Sequence, residues 1–324
     1  MKERNLPEKG TNEVLLKIKK VGICGTDIHA YGGVQAFFTY PRILGHELAA
    51  EVIKPSDTSS KFSEGDKVVV MPYVSCGTCV ACINGKSNCC TSMRVLGIHT
   101  DGGMQEIFSV PENLLLPANH LSFNEIAIVE PLAIGAHAIR RAGSLEGETI
   151  LVIGCGPIGI AIMKFAKIAG AQVIAMDINE QRLAYVRNKI GVDYTVNAQN
   201  EAHRAIKAMT NQQMATAVFD ASGNKKALET GIEFMAHGGR YVLVGLSKGN
   251  LSFNHPAIHA KESTIMCSRN ATLEDFEYVM DVLSKGLFPV DSYITHSSHF
   301  TKMIEQFETW TQPESGVIKA VVEF

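Results

Sequence analysis

Four cysteines, Cys76, Cys79, Cys82 and Cys90, stand in a C-x2-C-x2-C-x7-C spacing inside a Gly-rich loop. A loop of that kind can fold four thiolates around one tetrahedral Zn²⁺. With protein sulfur at all four positions no place is left for a substrate, so the ion staples the loop and takes no part in chemistry. Cys89 adjoins Cys90 and competes with it for the last position. A redox cluster or a nucleic-acid-binding zinc ribbon uses related spacings, but the formal net charge of −3 gives no general attraction to nucleic acid.

A second set of metal donors is scattered. Cys24 lies in Gly22-Ile-Cys-Gly-Thr-Asp-Ile-His29, and His46 lies in Gly45-His-Glu47. Sulfur and imidazole are ligands for zinc. Read alone, however, Cys24 fits a small core residue and His46 a hydrogen-bonded one. Asp27 reads as structural.

A third pattern is Gly154-Cys-Gly-Pro-Ile-Gly159, where glycines permit a tight turn and a close approach of pyrophosphate to backbone N–H groups. Gly154, Gly156, Pro157, Ile158 and Gly159 are therefore cofactor candidates. Asp177 follows at the distance expected of an acid that accepts hydrogen bonds from the adenosine ribose. A carboxylate there repels a 2′-phosphate and favours NAD over NADP. A glycine cluster serving helix packing beside a surface acid is the competing reading. Arg182 either covers the adenine and ribose or is a solvated helix residue.

The elements needed to position these groups are legible as two rhythms. Up to about Pro117 short β-rich runs such as Glu13–Val21 and Lys67–Pro72 alternate with Gly, Pro and Ser breaks, a barrel-like pattern. From Thr149 the chain reads as strand (149–153), helix and strand (172–176), a βαβ unit. The alternation continues through a strand at 217–220, a helix over 224–236 and a strand at 239–245, as in a doubly wound parallel sheet. A helix over 272–285 and a last strand over 316–323 follow, elements able to return the chain to the first domain, although periodicity alone does not establish that return.

At 324 residues, 46% hydrophobic and 19% charged, the chain is long enough for two domains with separate cores. The opening residues lack a signal-peptide core, so the expected compartment is the cytoplasm, where eight cysteines stay reduced and are read as metal ligands. Glycines, a proline and lysines break the most apolar stretch, 149–176, so no membrane span is expected.

Taken in order, G-I-C-G-T-D-I-H, G-H-E, the cysteine knuckle, Val129-Glu-Pro-Leu132 and G-x-G-x-x-G resemble the zinc-containing medium-chain dehydrogenase/reductase family over nearly the whole chain. The resemblance implies an α/β protein with a GroES-like β-barrel catalytic domain, 1–132 plus 267–324, interrupted by a Rossmann NAD-binding domain, 133–266. It implies two zinc ions per chain: one in the knuckle, and a catalytic one held by Cys24, His46 and a carboxylate from Glu47 or Glu130. Glu130 stands where liver-type alcohol dehydrogenases carry a cysteine, which places the chain nearer the sorbitol, threonine and sugar-acid branches. Three protein ligands leave room for the substrate oxygen. Thr26, beside that oxygen, and His29, one helical turn on, are expected to relay the proton to solvent.

The resemblance also bears on specificity. Arg269 falls where polyol dehydrogenases place an arginine facing substrate and nicotinamide, although Asn270 departs from their pattern. An arginine there suits a carboxylate or several hydroxyls. Aromatics from Tyr31 through Phe37, Phe38 and Tyr40 are candidates to wall the cleft, with Tyr31 on the substrate. Val244 and Gly245, ending the strand at 239–245, and Ser268 complete the cofactor set. The expected reaction is hydride transfer from a secondary alcohol of a polyol or sugar acid (sorbitol- or hexonate-like) to NAD. The competing readings are a threonine-type amino-alcohol dehydrogenase and a non-catalytic NAD-binding zinc protein. The expected partners are a small-molecule substrate and a second copy or more in a homodimer or homotetramer, with neither nucleic acid nor membrane. Cys24 comes earlier than in the family's usual pattern, which implies that a first β-hairpin is absent.

Overall fold

The computed structural model describes residues 3–33, 38–58 and 61–324. The chain forms two compact units, Met1–Pro131 with Thr272–Phe324, and Leu132–Ala271.

The first unit begins with β1 (Glu13–Ile23), whose alternate residues Val14, Leu16 and Ile18 are fully buried, the period of a strand with one face on a core. No strand precedes it among the described residues. β2 (Glu47–Lys54) pairs antiparallel with β1, and β3 (Lys67–Val70) with β2. The strand expected over 67–72 stops at Val70, because Met71 N turns to Leu114 O and Pro72 has no N–H to extend a ladder. β4 (Tyr73–Val74) and β5 (Arg94–Val95) pair on either side of the four-cysteine loop. β6 (Ile107–Pro111) joins β1, and β7 (Leu115–Pro117) joins β3. Leu16, Ile18, Leu48, Val68, Val110 and Leu115 fill the space these strands enclose.

In the second unit β8 (Thr149–Ile153), β9 (Gln172–Asp177), β10 (Tyr194–Asn197), β11 (Ala215–Asp220), β12 (Met235–Leu243) and β13 (Thr264–Cys267) form one parallel sheet. Its order, β10-β9-β8-β11-β12-β13, reverses direction between β8 and β11. In doubly wound sheets such a reversal opens a crevice at the carboxyl ends of the strands. Central strands covered on both faces must be apolar throughout, and Ile150 to Ile153 and Val173 to Met176 are all buried.

One expectation fails here. The helix read over 224–236 is only Lys225–Thr230, followed by a 3-10 turn, Gly231–Phe234, and β12 starts at Met235. The Tyr241 hydroxyl donates to Leu228 O at 2.8 Å, taking the carbonyl that a continuing helix would offer to Ile232. Met235 and Ala236 are then drawn into the sheet's core.

The chain returns to the first unit with the helix Leu273–Ser284, β14 (Ile294–His299) and β15 (Lys319–Glu323). β15 lies antiparallel to β1, Ile23 opposite Ala320, and parallel to β14, giving the order β14-β15-β1-β2-β3-β7. The last strand starts at Lys319 rather than 316, since Ile318 N spends its hydrogen bond on the Thr295 hydroxyl. The two sheets carry the expected barrel-like and Rossmann-like architecture.

Candidate metal and dinucleotide sites

Cys24 directly follows β1 and stands at the N-cap of the helix Gly25–Tyr31 in an extended conformation. Asp27, on that helix, is fully buried. One of its oxygens accepts from Cys24 N at 2.9 Å, and the other from Gly45 N at 3.3 Å. A single carboxylate thus ties together the two segments bearing the separated donors, and it faces His46 Nδ1 across 3.9 Å. One donor atom each of Cys24, His46 and Glu47 lie within 4.8 Å of one another.

Glu130 is buried beside this group, in the first turn of the helix Val129–Ala142, where a negative charge suits the helix dipole. It falls outside the 4.8 Å set, and its Oε1 accepts a short hydrogen bond from the buried Tyr73 hydroxyl. Lys319, from β15, donates to both oxygens of Glu47 at 2.7 Å and to Ile23 O at 3.0 Å.

The electrostatics call for a cation. Burial opposes protonation of His46, yet Asp27, Cys24 and Glu130 together raise its pKa well above that of free imidazole. Burial also raises the Glu130 carboxyl, as does its neighbour Glu47, against the lowering influence of His46. Lys319 loses to burial but gains more from Glu47, Cys24 and Glu130, and its pKa is raised. His46 Nδ1 is buried without a hydrogen-bond partner, a costly arrangement for a polar atom. Sulfur, imidazole and carboxylate gathered around an uncompensated buried nitrogen make a donor set that fits zinc.

Thr26 is half-buried and His29 exposed on the helix that follows Cys24. Tyr31 is exposed, its hydroxyl 3.4 Å from Glu308 Oε1 and its ring 5.5 Å from that of Phe307. The Tyr40 hydroxyl donates to Ala30 O, and the rings of Phe38 and Tyr40 are 5.5 Å apart. Phe37 lies outside the described residues.

Cys76, Cys79, Cys82 and Cys90 form the second donor group among the described residues. Of the two adjacent cysteines it is Cys90, buried, that falls in this group, and the exposed Cys89 does not. Backbone N–H groups of Cys76 and Ser92 point at Cys90 Sγ, at 3.2 and 3.3 Å, and Cys79 N points at Cys76 Sγ at 3.3 Å. Such donors stabilise thiolates.

In the second unit the turn after β8 carries the glycines. A Cβ on Gly159 would lie 1.8 Å from Gly154 O, so no side chain fits there. Gly156 is different: a Cβ there would meet nothing in the chain, so packing does not call for a glycine, whereas a pyrophosphate against the N-terminus of the helix Pro157–Ile168 would. Asp177 ends β9, one oxygen accepting from Cys155 N at 2.6 Å and the other from Asn179 N at 2.9 Å. Arg182 Nη1 reaches Cys155 O at 3.4 Å. Val244 N and Gly245 N both donate to Asp220 O, at 2.9 and 2.8 Å. Ser268 is buried with its Oγ unpartnered, and Arg269 beyond it is exposed.

Sequence reasoning missed three participants at the metal cluster. Asp27 sits inside a motif, and its helix-capping bond is indeed structural, but its second oxygen faces the ligand segment. Tyr73 and Lys319 carry no local signal, because only the pairing of distant strands delivers them.

Two family models match the chain: "Alcohol dehydrogenase GroES-like domain" over residues 10–120 and "Zinc-binding dehydrogenase" over 157–285. An L-galactonate-5-dehydrogenase of Escherichia coli is 42% identical over 323 residues, covering 100% of this chain and 95% of its own. Among solved structures, an E. coli alcohol dehydrogenase in complex with NADH is 30% identical with a TM-score of 0.92, covering 99% of this chain and 94% of its own. The L-idonate 5-dehydrogenase of E. coli is 29% identical with a TM-score of 0.87, covering 97% and 92%.

Proposed function

This chain belongs to the zinc-binding alcohol dehydrogenase family with a GroES-like domain, and we propose that it is an NAD-dependent enzyme that oxidises a secondary hydroxyl of a sugar acid or polyol. The observation that carries this reading is the buried cluster of Cys24, His46 and Glu47, with Glu130 beside it. A non-catalytic relative would have no need to keep such a set intact.

Cys24 and His46, with a carboxylate from the Glu47 and Glu130 pair, hold the catalytic zinc, and the four knuckle cysteines hold a second, structural zinc. Zinc at the first site supplies a Lewis acid that polarises the substrate hydroxyl, and NAD supplies the hydride acceptor. The protein's own work is orientation and proton removal. Asp27 steadies His46. Thr26 receives the hydroxyl proton and passes it to His29, whose exposed imidazole releases it to solvent. The backbone of 154–159 cradles the pyrophosphate, Asp177 accepts from the ribose hydroxyls, Arg182 covers the adenosine, and Val244, Gly245 and Ser268 contact the remainder of the dinucleotide. Tyr31 and Arg269 act on the substrate, the arginine through a carboxylate.

Similarity to enzymes named for galactonate and idonate supports a hexonate over a neutral polyol. No helix among the described residues is long and apolar enough to cross a membrane. A cytoplasmic site of action, with thiols kept reduced for metal, and a homodimeric or homotetrameric assembly belong to this proposal. The test is NAD reduction by zinc-loaded protein with hexonates, sorbitol and threonine. A hexonate should give the highest kcat/KM; threonine in first place, or no turnover with any of them, would refute the reading.

A further inference from the structure

Asp220 ends β11 where the order of the parallel sheet reverses, with Ile153 of β8 on one side and Leu243 of β12 on the other. It is fully buried. Its Oδ1 accepts from Ser222 N at 2.8 Å and from Ser222 Oγ at 2.7 Å, while its Oδ2 has no hydrogen-bond partner. The buried Tyr241 hydroxyl faces the same carboxyl group from β12, yet its one proton goes to Leu228 O at 2.8 Å. Towards Asp220 the phenol therefore presents a lone pair. An ionised carboxylate would set acceptor against acceptor in the interior, an arrangement that costs free energy with no bond in return.

We propose that Asp220 is a positioning residue of the dinucleotide site and works as a neutral carboxylic acid, its Oδ2–H donating to Tyr241 Oη, so that acid, phenol and Leu228 carbonyl form one directed chain. Burial favours the neutral form and raises the carboxyl above its ordinary value, against Ser222 and Tyr241, neither of which carries a charge. Every polar atom of the group is then matched. Oδ1 holds Ser222, whose Oγ accepts in turn from Asn224 N at 3.1 Å. The turn fixed in this way lies against both cofactor loops: a Cβ on Gly154 would stand 3.0 Å from Ser222 N, and one on Gly245 would collide with Gly223 N. The backbone oxygen of Asp220 also takes Val244 N and Gly245 N. One residue thus sets the glycine turn and the end of β12 at a common level. Kept neutral, it does so without adding a second negative charge beside Asp177 in a crevice that takes a pyrophosphate. The inference rests on the dinucleotide reading of this unit.

The test is NADH binding to the folded, zinc-loaded protein, together with infrared spectra of its carboxyl groups at neutral pH. D220A leaves the Ser222 donors without their acceptor and should raise the Kd for NADH about tenfold. Its kcat at saturating NAD should change much less. D220N places an N–H where the acid proton was and should recover most of the lost affinity. The difference spectrum of wild type and D220N should contain the carbonyl band of a protonated carboxyl group, and Y241F, which keeps Asp220 but removes its acceptor, should shift that band. A difference spectrum without the band, or NADH binding as weak in D220N as in D220A, would overturn the proposal. Should D220A fail to fold, the infrared comparison of wild type, D220N and Y241F decides it. Failure of the dinucleotide reading looks different, because wild type itself would then bind no NADH.

Discussion

Asp27 and His46 face each other in the interior of the first unit, Oδ1 to Nδ1, at 3.9 Å. That separation is too long for a hydrogen bond but short enough for the charge to act. The same carboxylate bonds Cys24 N and Gly45 N, so it holds the sulfur and imidazole segments in register. D27N keeps the shape and removes the charge. It should weaken zinc binding at the catalytic site by about 10- to 100-fold, as loss of an outer-shell partner does. Chelator competition on the folded variant measures this, and unchanged affinity would reduce Asp27 to a helix cap.

C24S should lower kcat with NAD by roughly 10³-fold or more, because the Lewis acid supplies several kcal/mol of charge stabilisation. Far-ultraviolet circular dichroism should stay unchanged, and metal analysis should show loss of one of two ions. A variant that loses the ion yet retains turnover would show that the chemistry lies elsewhere.

Asp177→Gly removes the negative charge at the end of β9. The ratio of kcat/KM for NAD to that for NADP should fall about tenfold or more, the worth of one hydrogen bond to a charged group. Steady-state kinetics with both cofactors decide it. A ratio that does not move would mean that the bonds to Cys155 and Asn179 are this residue's whole purpose.

The knuckle gives a pH prediction. Hydrogen bonds from Thr78, Cys79 and Cys90 lower Cys76 to about 7, and those from Cys82 and Thr91 lower Cys79 to about 5. Burial and the neighbouring thiols raise Cys82 to about 11. For the two lowered thiols the folded state favours the thiolate. Their stabilisation is therefore complete above the ordinary thiol range of about 8.5, and it is lost as pH falls through 7 and then 5. Cys82 has the opposite sign, and its contribution fades as pH rises towards 11. Zinc binding to the knuckle at pH 7 should accordingly release fewer than four protons, and the ion should be lost as pH drops towards 5. Calorimetry in buffers of different ionisation enthalpy counts the protons. Release of all four at pH 7 would contradict the assignment.

Much of this was legible in the chain because the deciding signals are local. The cysteine spacing and the glycine turn each lie within a short run, and the burial of Ile150 to Ile153 follows from an apolar strand covered on both faces. The failures share a physical origin. The helix expected over 224–236 is cut short because the Tyr241 hydroxyl, reaching back from the next strand, intercepts a helical carbonyl. Tyr73 and Lys319 carry no sequence signal because nothing near them in the chain hints at Glu130 or Glu47. Periodicity reports which face of an element is buried, but it does not say which buried polar group will meet it.

The pairing of β15 with β1 sets an order of events during synthesis. Lys319 donates to Ile23 O across 296 residues of chain, with the whole dinucleotide unit between them. A polypeptide emerging from the ribosome can therefore complete its Rossmann sheet while β1, with β2 and β6 already available to it, still lacks β15 and Glu47 has no counter-charge. Until the last strand is made, Glu47 is a carboxylate without its ammonium, so the interior of the first unit reaches its electrostatic balance only after the dinucleotide unit has been built.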